Sequence, residues 1–344
     1  MRGFVGNFTT IIENTSGGGA AEIEHGVAVI ASGGEPYRTD EYLYGQSPRV
    51  FSLLELEGEM ALKNPLVLGA RNIVMVQCVG SRDAERPYCS RTCCSKSVKL
   101  ALEIKKASPD TNIYVLYRDI RTYGFLEQYY LEAREAGVQF LQYDPEQKPT
   151  VELVTRDGEE RVRVTVTDLI LNEELSVDAD VLGLATAIVP SPGAMELAGM
   201  FKVPLNEDGF FMESHIKLRP VDFPSEGVFV CGLAHSPKPI GESMIQAGAA
   251  ASRAAVILSR DSIEAGGTVS FIDRNRCRGC GLCVELCPYG AIDLVDTESI
   301  AAVNEALCKG CGVCASSCRS GAAGIKGFTD NEIFSMIQTS VMRS

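Results

Sequence analysis

Two cysteine runs near the end of the chain constrain its fold more than any other feature. The first reads Cys277-Arg-Gly-Cys280-Gly-Leu-Cys283-Val-Glu-Leu-Cys287-Pro288, the second Cys308-Lys-Gly-Cys311-Gly-Val-Cys314-Ala-Ser-Ser-Cys318. Each has the spacing C-x2-C-x2-C-x3-C, and the two lie about thirty residues apart. Structural zinc is usually held by paired C-x2-C knuckles, not by four cysteines running on into a proline. A disulfide framework suits a short secreted chain, whereas this chain has 344 residues. The doubled run is the pattern that holds two [4Fe–4S] clusters, with the fourth cysteine of each run reaching across to the other cluster. Cys277, Cys280, Cys283 and Cys318 are thus expected on one cluster, and Cys308, Cys311, Cys314 and Cys287 on the other. Gly279, Gly281, Gly310 and Gly312 let the backbone turn tightly and aim N–H groups at sulfur.

The rest of the chain is long enough for further domains, and 45% hydrophobic residues can supply their core. No run of eighteen apolar residues suggests a transmembrane helix, and the first residues lack the basic start and apolar stretch of a signal peptide. Thirteen cysteines in such a chain point to metal or redox use in a reducing compartment, so a cytoplasmic location is expected. A net charge of −13 disfavours nucleic acid and anionic membrane surfaces as partners.

Upstream, residues 4–12 and 22–30 read as two strands joined by Ser16-Gly17-Gly18-Gly19. The second runs into Ala31-Ser32-Gly33-Gly34-Glu35-Pro36, and His25 within it reads as a turn or surface residue, with no other metal ligands around it. From 65 to 185 the pattern alternates. Strands are expected at Asn72–Val79, Asn112–Tyr117 and Val138–Gln142, with helices at Ser95–Ala107 and Phe125–Ala136 between them. This is a βαβαβ unit. Val151–Thr155, Arg161–Thr167 and Asp180–Leu184 then read as a meander and a returning strand.

A nucleotide-binding unit of this kind places G-x-G-x-x-G after its first strand. Here that strand is followed by Cys78-Val-Gly-Ser-Arg-Asp-Ala-Glu-Arg-Pro-Tyr-Cys89-Ser-Arg-Thr-Cys93-Cys94. Four cysteines thus occupy the carboxyl end of a strand and the start of a helix, where an α/β fold binds its ligand and a helix N-terminus favours an anion. They are read as ligands of a third, unusually bound [4Fe–4S] cluster; a redox disulfide or buried free thiols are the alternatives. Cys231, at the end of the apolar strand Gly227-Val-Phe-Val, reads as an inert core thiol. The last segment, from Phe328 to Ser344, has Ile333, Phe334, Ile337 and Val341 at helical spacing and is expected to be a packing or docking helix.

These segments carry a resemblance. The Ala-Ser-Gly-Gly turn before Pro36, the alternating unit and the segment Gly232-Leu-Ala-His235-Ser-Pro-Lys-Pro-Ile240 resemble two-dinucleotide-binding flavoproteins. More specifically, Gln77-Cys-Val-Gly-Ser-Arg-Asp83, Arg86-Pro-Tyr-Cys-Ser-Arg91 and Tyr117-Arg-Asp-Ile-Arg-Thr-Tyr-Gly124 resemble the heterodisulfide reductase A subunit. The resemblance extends over essentially the whole chain and corresponds to the C-terminal part of that longer polypeptide. It implies a partial flavoprotein-like α/β core with a thioredoxin-reductase-like plan, followed by an α+β domain like a bacterial 2[4Fe–4S] ferredoxin. The implied division is 1–64 and 189–265 for the flavin-binding part, 65–188 for the inserted domain, 266–328 for the ferredoxin domain and 329–344 for a terminal helix.

The resemblance also implies FAD, with Gly33, Gly34, Gly232, Ala234, His235, Lys238 and Gln246 near it; read from the residues alone, Lys238 is equally a surface lysine on a turn. Cys78, Cys89, Cys93 and Cys94 fall on the family's unusual cluster motif. The implied function is electron transfer, or flavin-based electron bifurcation, in an oxidoreductase component that does not act alone. Its partners would be other components of a heterodisulfide-reductase-like complex, ferredoxin, and a hydrogenase, formate dehydrogenase or similar donor. Two departures stand against it. The G-x-G-x-x-G loop for the ADP half of FAD is missing, and Gly232-Leu233 replaces the usual Gly-Asp. Either the sequence is a piece of a longer protein, or a separate polypeptide completes the flavin site. The alternative function is a flavin-free iron–sulfur electron carrier or docking module on a degenerate flavoprotein scaffold. A nucleotide-dependent disulfide reductase acting alone is disfavoured, because no C-x-x-C or C-x4-C redox pair stands in the required domain.

Overall fold

A computed structural model describes residues 2–14, 18–156, 158–170, 172–262, 268–295 and 299–342. Its centre is a five-stranded parallel sheet in the order Val50–Ser52, Val181–Thr186, Asn72–Val79, Asn112–Tyr117, Gln139–Gln142. Parallel strands need cover on both faces. The odd residues of the central strand, Ile73 and Met75, pack under the helices Leu53–Ala61, Cys93–Ala107 and Glu127–Glu135 through Leu56, Val98, Ala101, Ile104 and Ala133. The even residues, Val74 and Val76, face the other way. There an antiparallel meander, Thr150–Arg156, Glu159–Asp168 and Glu173–Ala179, covers them with Val162, Val164 and Val166.

Two extended segments connect this unit to the rest of the chain. Gly34–Pro36 leads in, Ile188–Pro190 leads out, and they pair antiparallel. Gly34 has no room for a side chain, since a Cβ there would stand 2.9 Å from the Val189 carbonyl oxygen. Beyond the crossover lies a two-stranded parallel sheet, Ala28–Ile30 with Val228–Val230. The helix Ile240–Leu258 packs on it through Ala250 and Ala254, against Val221, Phe229 and Cys231. Cys231 is buried there, as its strand pattern suggests. Among the described residues no helix is long and apolar enough to cross a membrane.

The cysteine-rich end has an internal repeat. Ser270–Ile272 pairs with Ala323–Ile325 and Ile292–Val295 with Ile300–Val303, while the short helices Leu282–Glu285 and Val313–Ser317 follow the first halves of the two runs. Gly279 and Gly310, equivalent in the repeat, both adopt φ of 63°. A Cβ at either would collide with backbone, 2.0 Å from the Ser299 oxygen or 2.5 Å from that of Thr268. Only glycine fits there.

Several expected elements differ in detail. The second N-terminal strand is broken at Gly26 into Gly18–His25, which forms a hairpin with Asn7–Asn14, and Ala28–Ile30, which joins a different sheet. The Gly26 carbonyl accepts from the Gly6 N–H, which holds the bend, and the joining residues 15–17 lie outside the described chain. His25 bonds Thr10 Oγ1 and the Val27 carbonyl, in keeping with a turn. The strand Glu173–Ala179 was not expected; its acidic outward residues mask the alternation of Leu175, Val177 and Ala179 towards the core. The expected helix from Phe125 starts as a 3-10 turn, Gly124–Leu126, with Phe125 97% exposed. Among the described residues the terminal helix Asp330–Met342 has none that is buried.

Asp180 ties the meander to the sheet. Its Oδ2 accepts from the backbone N–H groups of Arg71 and Asn72 at 2.8 and 2.9 Å, and its Oδ1 pairs with Arg161 at 2.6 Å. The D180A substitution strands two N–H groups and a partly buried guanidinium, an expected loss of about 3 kcal/mol read as a lower urea midpoint. An unchanged midpoint would show that these bonds are replaced by water at no cost.

Candidate functional site

The eight cysteines of the two runs are brought together in two groups. One pocket is lined by Cys277, Cys280, Cys283 and Cys318, the other by Cys287, Cys308, Cys311 and Cys314. The crosswise grouping anticipated from the spacing is therefore the grouping the fold produces. It arises because the repeat is packed around one small core, in which Ile292 and Ala301 lie with cysteines of both runs. Several sulfurs already have donors. The Ser270 N–H lies 3.2 Å from Cys308 Sγ, and the Ala291 N–H lies 3.2 Å from Cys287 Sγ. The Ser320 hydroxyl, with backbone N–H groups of Ala322 and Ala323, lowers the Cys318 thiol to about 7. Such donors favour thiolate, the form that ligates metal. Among the described residues no three His, Cys, Asp or Glu side chains converge tightly enough for a single metal ion. Four thiols on each pocket are the donor set that a [4Fe–4S] cluster takes. No disulfide links any of the thirteen cysteines.

The other four expected ligands lie at the carboxyl end of the central sheet. Cys78, next to last in the central strand, is left-handed, φ 60°, and Arg82 and Arg91 in the following loop are left-handed as well. Non-glycine residues are strained there. The loop is fastened to the outgoing crossover: the Tyr88 hydroxyl donates to the Ile188 carbonyl, and the Ile188 N–H donates to Ser90 Oγ, both at 2.9 Å. The helix starts at Cys93, earlier than the expected Ser95, and no side chain caps it. Burial pushes the Cys93 thiol up to about 12, and Cys94, Cys78 and Cys89 push it the same way. Burial also pushes Cys94 up to about 11. Four thiols this close cannot all ionise unless a cationic group takes up their charge. The surroundings supply some: Arg82 approaches Cys78 Sγ at 3.9 Å while paired with Asp119, which also holds Arg121.

Beside this loop opens a cleft of about 410 Å³, lined by Arg91, His235, Ser236, Lys238, Glu242 and Gln246 among others. Three residues expected near flavin thus share one wall. Lys238 is no surface lysine; it is 6% exposed. Its Nζ donates to the Gly232 carbonyl (3.0 Å), His235 Nδ1 (2.9 Å) and Gln246 Oε1 (2.7 Å). His235 Nε2 then lies 2.7 Å from Glu213, which fits a neutral imidazole whose Nε2–H donates to the carboxylate and whose Nδ1 accepts from the lysine. Gln246 Oε1 also accepts from the Gly232 N–H, so one side chain pins the turn. Gly33 and Gly232 are left-handed, at φ 77° and 70°, with open space where a Cβ would point. Gly34 abuts Leu233 of the same turn. Ala234 departs from expectation. Its side chain is 2% exposed and packs with Ile30 and Val230, while its carbonyl accepts from the Phe211 N–H, so it faces the core. Arg91 and Glu242 in the cleft wall, and Glu213 behind His235, were not anticipated as site residues; they come from three separate stretches of the sequence.

The residues at 276–324 match the family model of the 4Fe-4S dicluster domain, which supports iron–sulfur clusters in this segment. Longer stretches are similar to curated proteins. A protein of Archaeoglobus profundus, itself described as like the heterodisulfide reductase A subunit, is 42% identical over 64% of this chain and 31% of its own length. The A subunit of the CoB–CoM heterodisulfide reductase of Methanocaldococcus jannaschii, an iron-sulfur subunit, is 36% identical over 87% of this chain and 47% of its own. The A subunit of the H(2)/formate:CoB–CoM heterodisulfide,ferredoxin reductase of Methanococcus maripaludis is 33% identical over 92% and 50%. The chain is therefore related to the heterodisulfide reductase A subunit, and it spans a third to a half of the length of these relatives. Among solved structures, thioredoxin reductase of T. acidophilum superposes with a TM-score of 0.45 at 15% identity, covering 74% of each chain.

Lys238 yields a pH prediction. Burial first, and the nearby Arg91 charge, lower its ammonium from 10.5 to about 8. From pH 8 to 10.5 the unfolded chain still holds a proton that the native lysine has released, so stability rises with pH through that window. The burial penalty is fully present below pH 8. The K238M variant lacks the rise, an expected difference of about 2–4 kcal/mol between pH 7 and pH 10.5 in urea unfolding. Parallel pH curves for both proteins would refute the depressed value.

Proposed function

We propose that the chain is an electron-transfer component of a heterodisulfide-reductase-like oxidoreductase complex. In this reading residues 266–328 hold two [4Fe–4S] clusters on the two groups of four cysteines, and Cys78, Cys89, Cys93 and Cys94 hold a third. Residues 1–64 and 189–265 form the isoalloxazine side of an FAD site around Gly33, Gly34, Gly232, His235, Lys238 and Gln246. The observation that carries the reading is adjacency. The cleft with the buried Lys238 and the loop with Cys89 share a wall residue, Arg91. When bound, a flavin supplies exchange between electron pairs and the single electrons that clusters carry. The chain's own residues do the rest. Lys238 presents a buried cation with three acceptors already in place, His235 is held by Glu213, and the strained Cys78 turn directs its sulfur towards the other three cysteines. The proposal extends to other components of such a complex, to ferredoxin, to a hydrogenase or formate dehydrogenase as donor, and to bifurcation; names of relatives that include H(2), formate and ferredoxin support the choice of partners.

A second reading, a flavin-free iron–sulfur carrier or docking module, is favoured by Gly232-Leu233 in place of the usual Gly-Asp. Anaerobic purification with iron, sulfide and flavin analysis separates the two. About twelve irons and one flavin per chain are expected, falling to about eight irons in the C89S variant. About eight irons and no flavin in the unaltered chain would leave only the carrier reading.

A further inference from the structure

Arg91 connects two parts of the molecule that no sequence motif connects. Its backbone is left-handed, φ 62°, and its N–H points to Cys89 Sγ at 3.3 Å. Its guanidinium reaches out of the cysteine loop to the first turn of the helix Ile240–Leu258. There it meets Glu242 through two bonds, Nη1 to Oε2 at 2.9 Å and Nη2 to Oε1 at 2.6 Å. Nη2 also donates to the Tyr123 hydroxyl at 2.8 Å, which lies 3.2 Å from Glu242. A planar fork held on both arms has its charge fixed in place.

We propose that Arg91 is a positioning residue that sets the reduction potential of the four-cysteine centre, with Glu242 as the counter-charge supplied from across the cleft. The proposal rests on Cys78, Cys89, Cys93 and Cys94 being cluster ligands. The guanidinium is charged at every accessible pH. A reduced cluster carries one more negative charge than an oxidised one, so a nearby cation favours reduction and a nearby anion opposes it. Other charges also bear on the cysteines: Arg82 and Arg121 both hold Asp119, and Arg118 lies near Cys78. Arg91 and Glu242 form a balanced pair that straddles the cysteine loop and the cleft. Through this pair, whatever displaces Glu242 from the cleft side changes the field at the cluster.

The test is an anaerobic potentiometric titration of the full chain, followed by electron paramagnetic resonance, on E242Q, R91Q and E242D. Glutamine keeps the length of either partner closely enough while removing its charge. E242Q is expected to move the midpoint of the third cluster to more positive potential, R91Q to more negative potential, and E242D to leave it near the unaltered value. The two ferredoxin-type clusters serve as internal references and stay in place. Opposite signs are the signature of charge. A loosened loop would move both variants in one direction or cost both the cluster. Shifts of the same sign, or none, with the third signal present, overturn the proposal alone. An unaltered chain with about eight irons and no third signal overturns the ligand assignment and this proposal with it.

Discussion

The parallel pairing of Asn72–Val79 with Val181–Thr186 is the constraint on which the site depends. It brings the end of the cysteine strand and the start of the outgoing crossover to the same edge of the sheet. The register slips between Leu184 and Thr186, and the Ala187 N–H then donates to the Val79 carbonyl at 2.9 Å. That slip brings Thr186 to Cys93, whose thiol points to its carbonyl at 3.8 Å. Parallel strands open their carboxyl ends to a ligand. Here that opening is filled by thiols, where a nucleotide-binding version would present glycine amides.

Charge is arranged in the same graded way. The chain carries a net −13, yet Arg82, Arg118 and Arg121 gather around the cysteines at 78–94. A group of thiolates needs such neighbours, because each ionised sulfur raises the cost of ionising the next. In the cysteine-rich end the solution differs. Sulfur there receives backbone N–H groups and hydroxyls, and glycines at left-handed positions allow the approach. Two kinds of neighbour to sulfur thus coexist in one chain: side-chain cations at the edge of the α/β sheet, which work against burial, and backbone amides in a small repeat.

The cleft shows how a weak local signal becomes a specific site. Lys238 on a turn between two prolines has no distinguishing mark in the sequence. Folding removes it from water, surrounds its ammonium with a carbonyl, an imidazole and an amide, and lowers its proton affinity. Ala234, four residues away, turns inward instead, because the 3-10 turn Gly232–Ala234 points its side chain into the core beneath the sheet. Adjacent positions of one motif can have opposite fates when a single turn separates a core face from a cleft face.

The grouping of the cysteines was legible in the sequence, because spacing is a local property. The two runs contain their own turns, and the four cysteines at 78–94 lie within one strand, loop and helix. The βαβαβ unit was legible as well, since buried parallel strands are continuous apolar runs. The hairpin break at Gly26 was not, for its deciding partner, Gly6, lies outside its own strand, and the strand Glu173–Ala179 was not, because its acidic outward residues hide the alternation. Only the tertiary structure set Arg91 against Glu242, 151 residues apart, and joined His235 to Glu213. Charge pairs of this kind leave no periodicity or spacing to read, because their geometry is set by how two elements pack and not by the order of the residues in either.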